Sequence, residues 1–574
     1  MAHSIEVLER QRAEILEQMQ ALGDMRRGSV VEQYLKCGKT PCCCKAAGHP
    51  GHGPYFAYTR KVQGKTQTRQ LRPGPGLAKL TREVETFHRF RQLCDQLLGI
   101  NERLCDLRPL GAGAPGPAIP AVKKTSARSF RAEVSQELDR LVTRALQDQA
   151  TGGHLDLEAT EMALRATMHE VGGRLLEQLL NADGGGYRGR QVPCGQGHHA
   201  AFLDYRGKEV LTVLAPVRVR RAYYYCAPCA DGVVPKDHEL DIVGTVFSPG
   251  VRRMMGRVGS KAAFAEGRRD LAELAGILVQ TKQVERVAEA IGQQIETLAQ
   301  RERDRALVGT VVPLRAVPKL YIAIDATGVP VVPHETEGRP GKDATGKAKT
   351  REAKLGCVFT QTRLDAKGRP VRDADSTTYV GAIETAEAFG PRIYAEAVRR
   401  GVAWAAQVIV LGDGAVWIWR LADEHFPGAL QIVDLYHARE HLADLGKILY
   451  GPAGPEARAW AAARCKQLDA GEIEALLAVM RRLRPREVPV AEAVRKATEY
   501  FQTNAERMRY ARFRRRGLFV GSGVVEAGCK TIVGQRLKQS GMRWTVRGAN
   551  SIIALRCADL SGRWEEFWET RAAA

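Results

Sequence analysis

The sequence predicts an α/β fold with added helical modules: a mixed sheet carrying helices on its faces, interrupted by an all-helical insertion. Three observations predict it. From Lys319 onward, strand-like runs over 321–325, 355–363 and 369–380 follow one another at hairpin-length spacing. Helical and strand periods then alternate: helix 382–401, strand 407–412, helix 415–425, strand 430–434 and helix 437–448. Residues 454–514 are helical and Arg-rich, and a last helix is expected over 524–538. A doubly wound dinucleotide fold is excluded, because no Gly-rich turn opens a helix directly after the first strand.

With 574 residues the chain is too long for one hydrophobic core. Residues 1–107 form a Cys-rich segment, with an amphipathic helix over 4–24 and another over 80–107. The Pro/Gly-rich stretch 108–121 has no core-forming period and reads as a linker. Residues 122–188 are helical, with helices over 128–147 and 157–181. Residues 189–245 read as short cysteine-bearing strands, and 246–312 as helices with a break at 276–281. The mixed sheet then occupies 313–450, the helical insertion 451–516, and the remainder of the sheet domain 517–574.

Lys and Arg total 86 against 65 acidic residues, a formal net charge of +21. Such an excess calls for a polyanionic partner, and double-stranded DNA is the expected one; an Arg-rich composition is the competing explanation. No run of eighteen apolar residues occurs, so no membrane partner is expected. Residues 1–20 lack a secretory apolar region, and the 13 cysteines are clustered. Metal ligation in a reducing cytoplasm is therefore expected, with nucleoid association when bound to DNA.

Asp325 closes the strand YIAID and Asp413 closes VIVLGD, where an α/β sheet exposes functional groups. Glu526 opens a helix after GSGVV. A lone strand-end Asp is commonly a turn or helix cap. Three convergent carboxylates in a basic chain suit two hard cations, Mg²⁺ or Mn²⁺, of the kind that serve in-line phosphoryl transfer.

The segments YIAIDATGVPV, REAKLGCVFTQ, VIVLGDGAVWIW, QIVDLYHAREHL and GSGVVEAGCKTIVGQRLKQSGMRW resemble, in that order and over roughly 155–560, insertion-sequence transposases of the DDE class, particularly the ISKra-like group. The resemblance implies a ribonuclease-H-like sheet with its first and fourth strands adjacent. It makes Asp325, Asp413 and Glu526 both the catalytic acids and the Mg²⁺ ligands. It implies cleavage at terminal inverted repeats, strand transfer into target DNA, and a homodimer or larger assembly on DNA. A catalytically silent DNA-binding regulator, and a nuclease of the same fold without strand transfer, are the competing functions. Asp434-Leu-Tyr-His437 is similar to a [Cys/Asp]-x-x-His element near the active site of Mutator-like transposases, so both residues are expected beside the site, Asp434 as a helix cap and His437 as a phosphate contact.

Several basic residues are expected on DNA. Lys354, after the basic loop 338–349, is a phosphate-contact candidate near the site. That loop also matches GxxxxGK but lacks the Ser/Thr and the helix of a P-loop. Arg512, Arg514 and Arg515 lie in the aromatic–Arg run RYARFRRRG, and Lys530 and Arg536 follow Glu526. Lys282, Gln283 and Arg286 sit on a helix that Thr281 is expected to cap, the second of a helix-turn-helix-like pair. Cys226 and Cys229 form a CxxC knuckle, and Cys194 with His198 or His199 can complete a zinc-ribbon-like structural Zn²⁺ site; His198 is taken as the fourth ligand. Cys37, Cys42, Cys43, Cys44, His49 and His52 crowd together in a stretch that resembles a small accessory domain found alone and beside transposases. Zinc ligation and inert or redox-sensitive thiols both remain open there, and the sequence does not select a ligand set.

Overall fold

A computed structural model describes residues 5–107 apart from 38–41, 47, 63–64 and 72, isolated positions between 132 and 143, and 156–308, 317–341 and 348–572 apart from 453. The linker 108–121, most of the helix expected over 128–147 and the centre of the basic loop, 342–347, lie outside the described residues. The chain divides into two compact units, Met1–Ala121 and Val122–Ala574.

In the first unit, helix α1 (Ile5–Gln20) packs against α2 (Pro75–Leu107) beside an antiparallel sheet of β1 (Ser29–Leu35), β2 (His52–Val62) and β3 (Lys65–Leu71). Leu8 and Ile15, two helical turns apart on α1, are buried, and Tyr58, Leu80 and Val84 form a small core cluster with Val30 and Leu71 against it.

The second unit opens with α3 (Leu157–Asn181), whose N-cap Asp156 accepts a hydrogen bond from Ala159 N at 3.1 Å. A four-stranded antiparallel sheet follows, built on the hairpin β5 (His199–Leu211) and β6 (Pro216–Cys226) and edged by β4 (Gln191–Pro193) and β7 (Asp231–Val233). Then come helices α4 (Pro235–Glu239), α5 (Pro249–Lys261), α6 (Phe264–Ala275) and α7 (Thr281–Leu307). The cap of α7 is Gln280 rather than the expected Thr281. Gln280 N donates to Gln283 Oε1 at 2.8 Å, and the Gln280 side chain accepts from the backbone of Gln283 in return. Helix α7 also belongs to the principal core, where its Ala288 and Ile291 are buried.

The principal sheet has five strands in the order β12-β9-β8-β13-β14. They are β8 (Lys319–Pro330), β9 (Thr350–Gln361), β12 (Thr378–Ala382), β13 (Gln407–Gly412) and β14 (Leu430–Val433). Counted from β8, that is third-second-first-fourth-fifth, with the second strand antiparallel to both neighbours and the first, fourth and fifth parallel. The strand expected over 369–380 divides into a small hairpin, β10 (Arg363–Leu364) with β11 (Pro370–Val371), and then β12. Asp373 causes the break. Its carboxylate accepts from the Thr360 and Thr362 hydroxyls at 2.6 Å each, offering the chain an alternative to the strand ladder.

Helices α8 (Ala386–Arg399) and α9 (Val416–His425) cover one face, as a Cβ at Gly356 would meet Phe389 and Ile393, and one at Gly412 would meet Ile418 and Trp419. Helix α10 (Leu435–Tyr450) leads into the insertion, α11 (Pro455–Ala470), α12 (Ile473–Arg482), α13 (Val488–Thr503) and α14 (Tyr510–Arg515). The helix expected over 524–538 runs without a gap as α15 (Gly523–Gly528), a π-helical turn (Cys529–Gly534) and α16 (Gln535–Leu537). The buried Arg556 guanidinium takes the Ile532 carbonyl at 2.9 Å and that of Thr531 as well, diverting acceptors from the helical ladder.

Two further helices, α17 (Val546–Leu560) and α18 (Trp564–Ala572), close the chain and were not expected. Helix α17 is buried all round, through Ala549, Ile552, Ile553 and Leu555, so it lacks the polar stripe that marks an amphipathic helix. It crosses α7 with no room between them, since a Cβ at Gly292 would stand 2.1 Å from the Ser551 carbonyl oxygen. Arg392 on α8 completes the joint, bonding both carboxylate oxygens of Glu296 on α7 at 2.8 and 2.9 Å. Gly292→Ala is expected to destabilise the second unit by roughly 2 kcal/mol, because backbone rather than a movable side chain opposes the new methyl. Denaturant unfolding followed by tryptophan fluorescence would measure it.

Candidate active site and zinc-binding cluster

The β8–β13 register decides where the two aspartates fall. Ile409 pairs with Tyr321 and Leu411 with Ala323. Continuing that register by two residues brings Asp325 beside Asp413, the first residue after β13. Asp325 does not close its strand as expected, because β8 stays paired with β9 as far as Pro330. Asp325 lies opposite Leu355 of β9, on the face away from α8 and α9. That face receives α15, because a Cβ at Gly528 would meet Leu355 at 3.0 Å.

Burial raises the Asp325 carboxyl above the usual aspartate range, and the nearby charge of Asp413 adds to the rise. The Ala326 N–H at 2.7 Å, the Cys529 thiol and the charge of His437 pull the other way. Asp413 accepts from Ala415 N at 2.8 Å, and Glu526 accepts from the Ser522 hydroxyl at 3.0 Å. Among the described residues, the sets of three or more Cys, His, Asp or Glu ligand atoms within 4.8 Å of one another are both cysteine–histidine sets; Asp325, Asp413 and Glu526 do not form one. Glu526 is nevertheless one helical turn before Cys529, whose thiol bonds Asp325. Two half-buried carboxylates in register, one with its charge disfavoured, are a donor set that a hard divalent cation fits.

Asp434 is completely buried. One of its oxygens caps α10 by accepting from Tyr436 N at 2.6 Å and His437 N at 2.9 Å, and the other accepts from Ser522 N. It therefore joins the end of β14 to the loop that carries Glu526. His437 is half-buried, with Nδ1 3.5 Å from Glu440.

Four residues around the site, Tyr500, Gly414, His441 and Cys529, are not among those the sequence singles out. Tyr500 of the insertion donates to the Asp413 carbonyl at 2.8 Å, and its ring lies 4.2 Å from that of His441. Gly414, at φ +104°, makes room for it, since a Cβ there would meet the Tyr500 ring at 2.5 Å. His441 is lowered by burial and by the charge of His437. The signal for His441 and Cys529 was available: each follows a selected residue, His437 or Glu526, by one helical turn. No local signal marks Tyr500.

The basic candidates divide into exposed and buried. Arg512, Arg514 and Arg515 are exposed on α14, with Arg514 3.5 Å from Asp469. Lys530 and Arg286 are exposed, and Lys282 is exposed while paired with Glu285 at 2.6 Å. Gln283 is half-buried and occupied by its capping bond. Lys354 is only 8% exposed and faces the opposite side of the sheet from Asp325. It bonds Glu352 at 3.0 Å and the Glu384 carbonyl at 3.1 Å, over the Trp417 ring.

Arg536, expected on DNA, is wholly buried. Its guanidinium lies between the rings of Phe264 and Trp544, at 4.5 and 5.1 Å, and donates to the Gly259 carbonyl at 2.9 Å near the end of α5. Burial lowers it to about 10. The sequence pattern of a basic helix face does not distinguish a solvated guanidinium from one used as internal mortar.

Cys194, His198, Cys226 and Cys229 bring their ligand atoms within 4.8 Å of one another, a soft donor set that can hold zinc. His198 Nδ1 is 3.2 Å from Cys229 Sγ, and the Cys194 and Cys229 sulfurs are 3.7 Å apart. Backbone donation from Gln196 holds Cys194 down to about 7, while the Cys226 sulfur and burial push Cys229 up to about 12. Both members of the expected Cys194 and CxxC pairs are present, and His198 rather than His199 supplies the nitrogen.

Two measurements follow. The Asp325 carboxyl holds a proton more readily in the folded chain than in the unfolded one, so stability falls as pH rises from the usual aspartate range through the raised folded value. Asp325→Asn should therefore raise the metal-free Tm at neutral pH, by about 2–5 °C, and remove any stabilisation by Mg²⁺; differential scanning calorimetry reads both. Arg536→Ala should cost roughly 3 kcal/mol of stability, whereas Arg512→Ala/Arg515→Ala should leave unfolding unchanged.

A family model described as a domain of unknown function, DUF6788, matches residues 5–80. No curated protein sequence matches the chain. Among solved structures, the Drosophila P element transposase strand transfer complex is similar at 10% identity, over 55% of this chain and 80% of that one, with a TM-score of 0.17. A superposition this loose does not by itself establish a shared fold.

Proposed function

We propose that this chain is a DNA transposase of the DDE class, cutting DNA at the ends of its element and joining the freed ends to a target. The observation that carries this reading is the in-register pair Asp325 and Asp413, with the Glu526 helix packed on the same face of the sheet. The strand order third-second-first-fourth-fifth supports a ribonuclease-H-like reading of the sheet. The helical insertion between β14 and Glu526, the motifs of the ISKra-like resemblance and the +21 net charge agree with it.

Asp325, Asp413 and Glu526 would hold Mg²⁺ or Mn²⁺, which when bound supplies the positive charge that in-line phosphoryl transfer requires. The chain's own residues do the remaining work. Ser522 and Asp434 fix the backbone entering the Glu526 helix, and Tyr500 fixes the turn after Asp413. His437 lies close enough to Asp325 to bear on its ionisation, and would contact the scissile phosphate. The exposed arginines of α14 neutralise DNA phosphates. The Cys194–Cys229 cluster is structural.

With Mg²⁺ and duplexes carrying the element's own end, the wild-type chain should nick at the 3′ ends and join them to a target plasmid. Asp325→Ala, Asp413→Ala and Glu526→Ala should each reduce nicking by roughly a hundredfold or more, while DNA affinity and its steep salt dependence persist. Nicking without joining identifies a nuclease, and nicking that survives Asp325→Ala contradicts the assignment.

A further inference from the structure

We propose that the amino-terminal unit carries its own zinc ion, held by Cys37, Cys42, Cys44 and His52 and separate from the Cys194 cluster. The ligand atoms of these four residues lie within 4.8 Å of one another. Cys42 Sγ is 3.0 Å from His52 Nε2, and Cys44 Sγ is 3.6 Å from Cys37 Sγ. The Cys37 N–H points at the Cys44 sulfur at 3.3 Å, the backbone support that orients and stabilises a metal-bound thiolate.

The local backbone selects these four from six candidates. Cys42, Cys43 and Cys44 are consecutive, and the 3-10 turn Cys43–Lys45 leaves Cys43 exposed while its two neighbours meet the other ligands. His49 is engaged elsewhere, its Nδ1 accepting from Gly51 N at 3.0 Å. His52 is brought in by strand pairing: it opens β2 opposite Leu35, the last residue of β1. Gly51 allows that approach, because at φ +114° a Cβ there would stand 2.8 Å from the Leu35 backbone.

Three thiols and an imidazole form a soft, tetrahedral donor set that suits zinc and disfavours Mg²⁺ or Ca²⁺. A structural requirement is also present. Among the described residues of the connection between β1 and β2, the 3-10 turn is the one regular element. Long connections of that kind are uncommon in compact units without a clip. This unit has a small core, and a structural zinc adds its binding free energy to folding. The ion would fasten the connection across the β1–β2 end in the way a hydrophobic cluster does in a larger domain.

Elemental analysis of the full-length chain tests this independently of any DNA chemistry. Two zinc ions per chain are expected. Cys42→Ser/Cys44→Ser should hold one, Cys226→Ser/Cys229→Ser should hold one, and Cys43→Ser should still hold two. Because unfolding of the first variant would also release its ion, iodoacetamide labelling of the wild-type chain supplies a second readout. Cys43 should label readily, and Cys37, Cys42 and Cys44 only after a chelator is added. A wild-type chain holding one zinc that disappears with Cys226→Ser/Cys229→Ser overturns the proposal. So does labelling of Cys37, Cys42 and Cys44 at the rate of Cys43 in the zinc-loaded chain.

Discussion

The parallel pairing of β8 with β13 is the constraint on which the second unit turns. Once Leu411 is in register with Ala323, Asp413 and Asp325 have no choice but to end side by side. Both strands are apolar and completely buried up to that point, through Leu320, Ile322 and Ile324 on one and Ile409, Val410 and Leu411 on the other. A slip of one residue would turn those side chains to the wrong face, so hydrophobic burial sets the carboxylate positions far more firmly than the carboxylates set themselves. The acids stand where their mutual repulsion and loss of water are unfavourable, and the strands on either side hold them there.

The remaining acid comes from a distant part of the chain, and several interactions bring it back. The loop before α15 docks on the sheet through Phe519, edge-on to the stacked pair Tyr321 and Phe359. Gln361 takes the Gly517 carbonyl at 2.9 Å and accepts from the Tyr321 hydroxyl at 2.6 Å. Leu435 N bonds the Val520 carbonyl at 2.9 Å, and the buried Asp434 grips Ser522. Fully buried and hydrogen-bonded through both oxygens, Asp434 is a positioning residue, joining the fifth strand to the loop behind Glu526. Helices α5, α7 and α17 brace the same structure through Arg536, Arg392 and Arg556 respectively, so three buried guanidiniums hold together elements from both ends of the second unit.

Much of this was legible from the sequence wherever one residue pattern answered to one environment. The strand 407–412 and the helix 157–181 were bounded from apolar period alone, and the Cys194–Cys229 set from ligand spacing. Legibility failed where the pattern was ambiguous. Helix α17 is buried on nearly every side and gave no amphipathic signal. Arg536 sits in a sequence rich in solvated cations and is the buried exception, while Lys354 is held against Trp417 and Glu384 on the far face of β9. Tyr500 reaches Asp413 across 87 positions, a contact no local pattern can announce. The π turn within the Glu526 helix is met by Arg556, which lies on another helix.

The central claim is that Asp325 and Asp413 stand together in order to share a cation with Glu526. Crystals of the full-length chain grown with Mn²⁺ test it most directly, through the anomalous difference map around Asp325 on β8 and Asp413 just after β13. The account predicts anomalous density for manganese beside Asp325, Asp413 and Glu526. A map without anomalous density there, with manganese bound at other sites and the three carboxylates still apart, would contradict it.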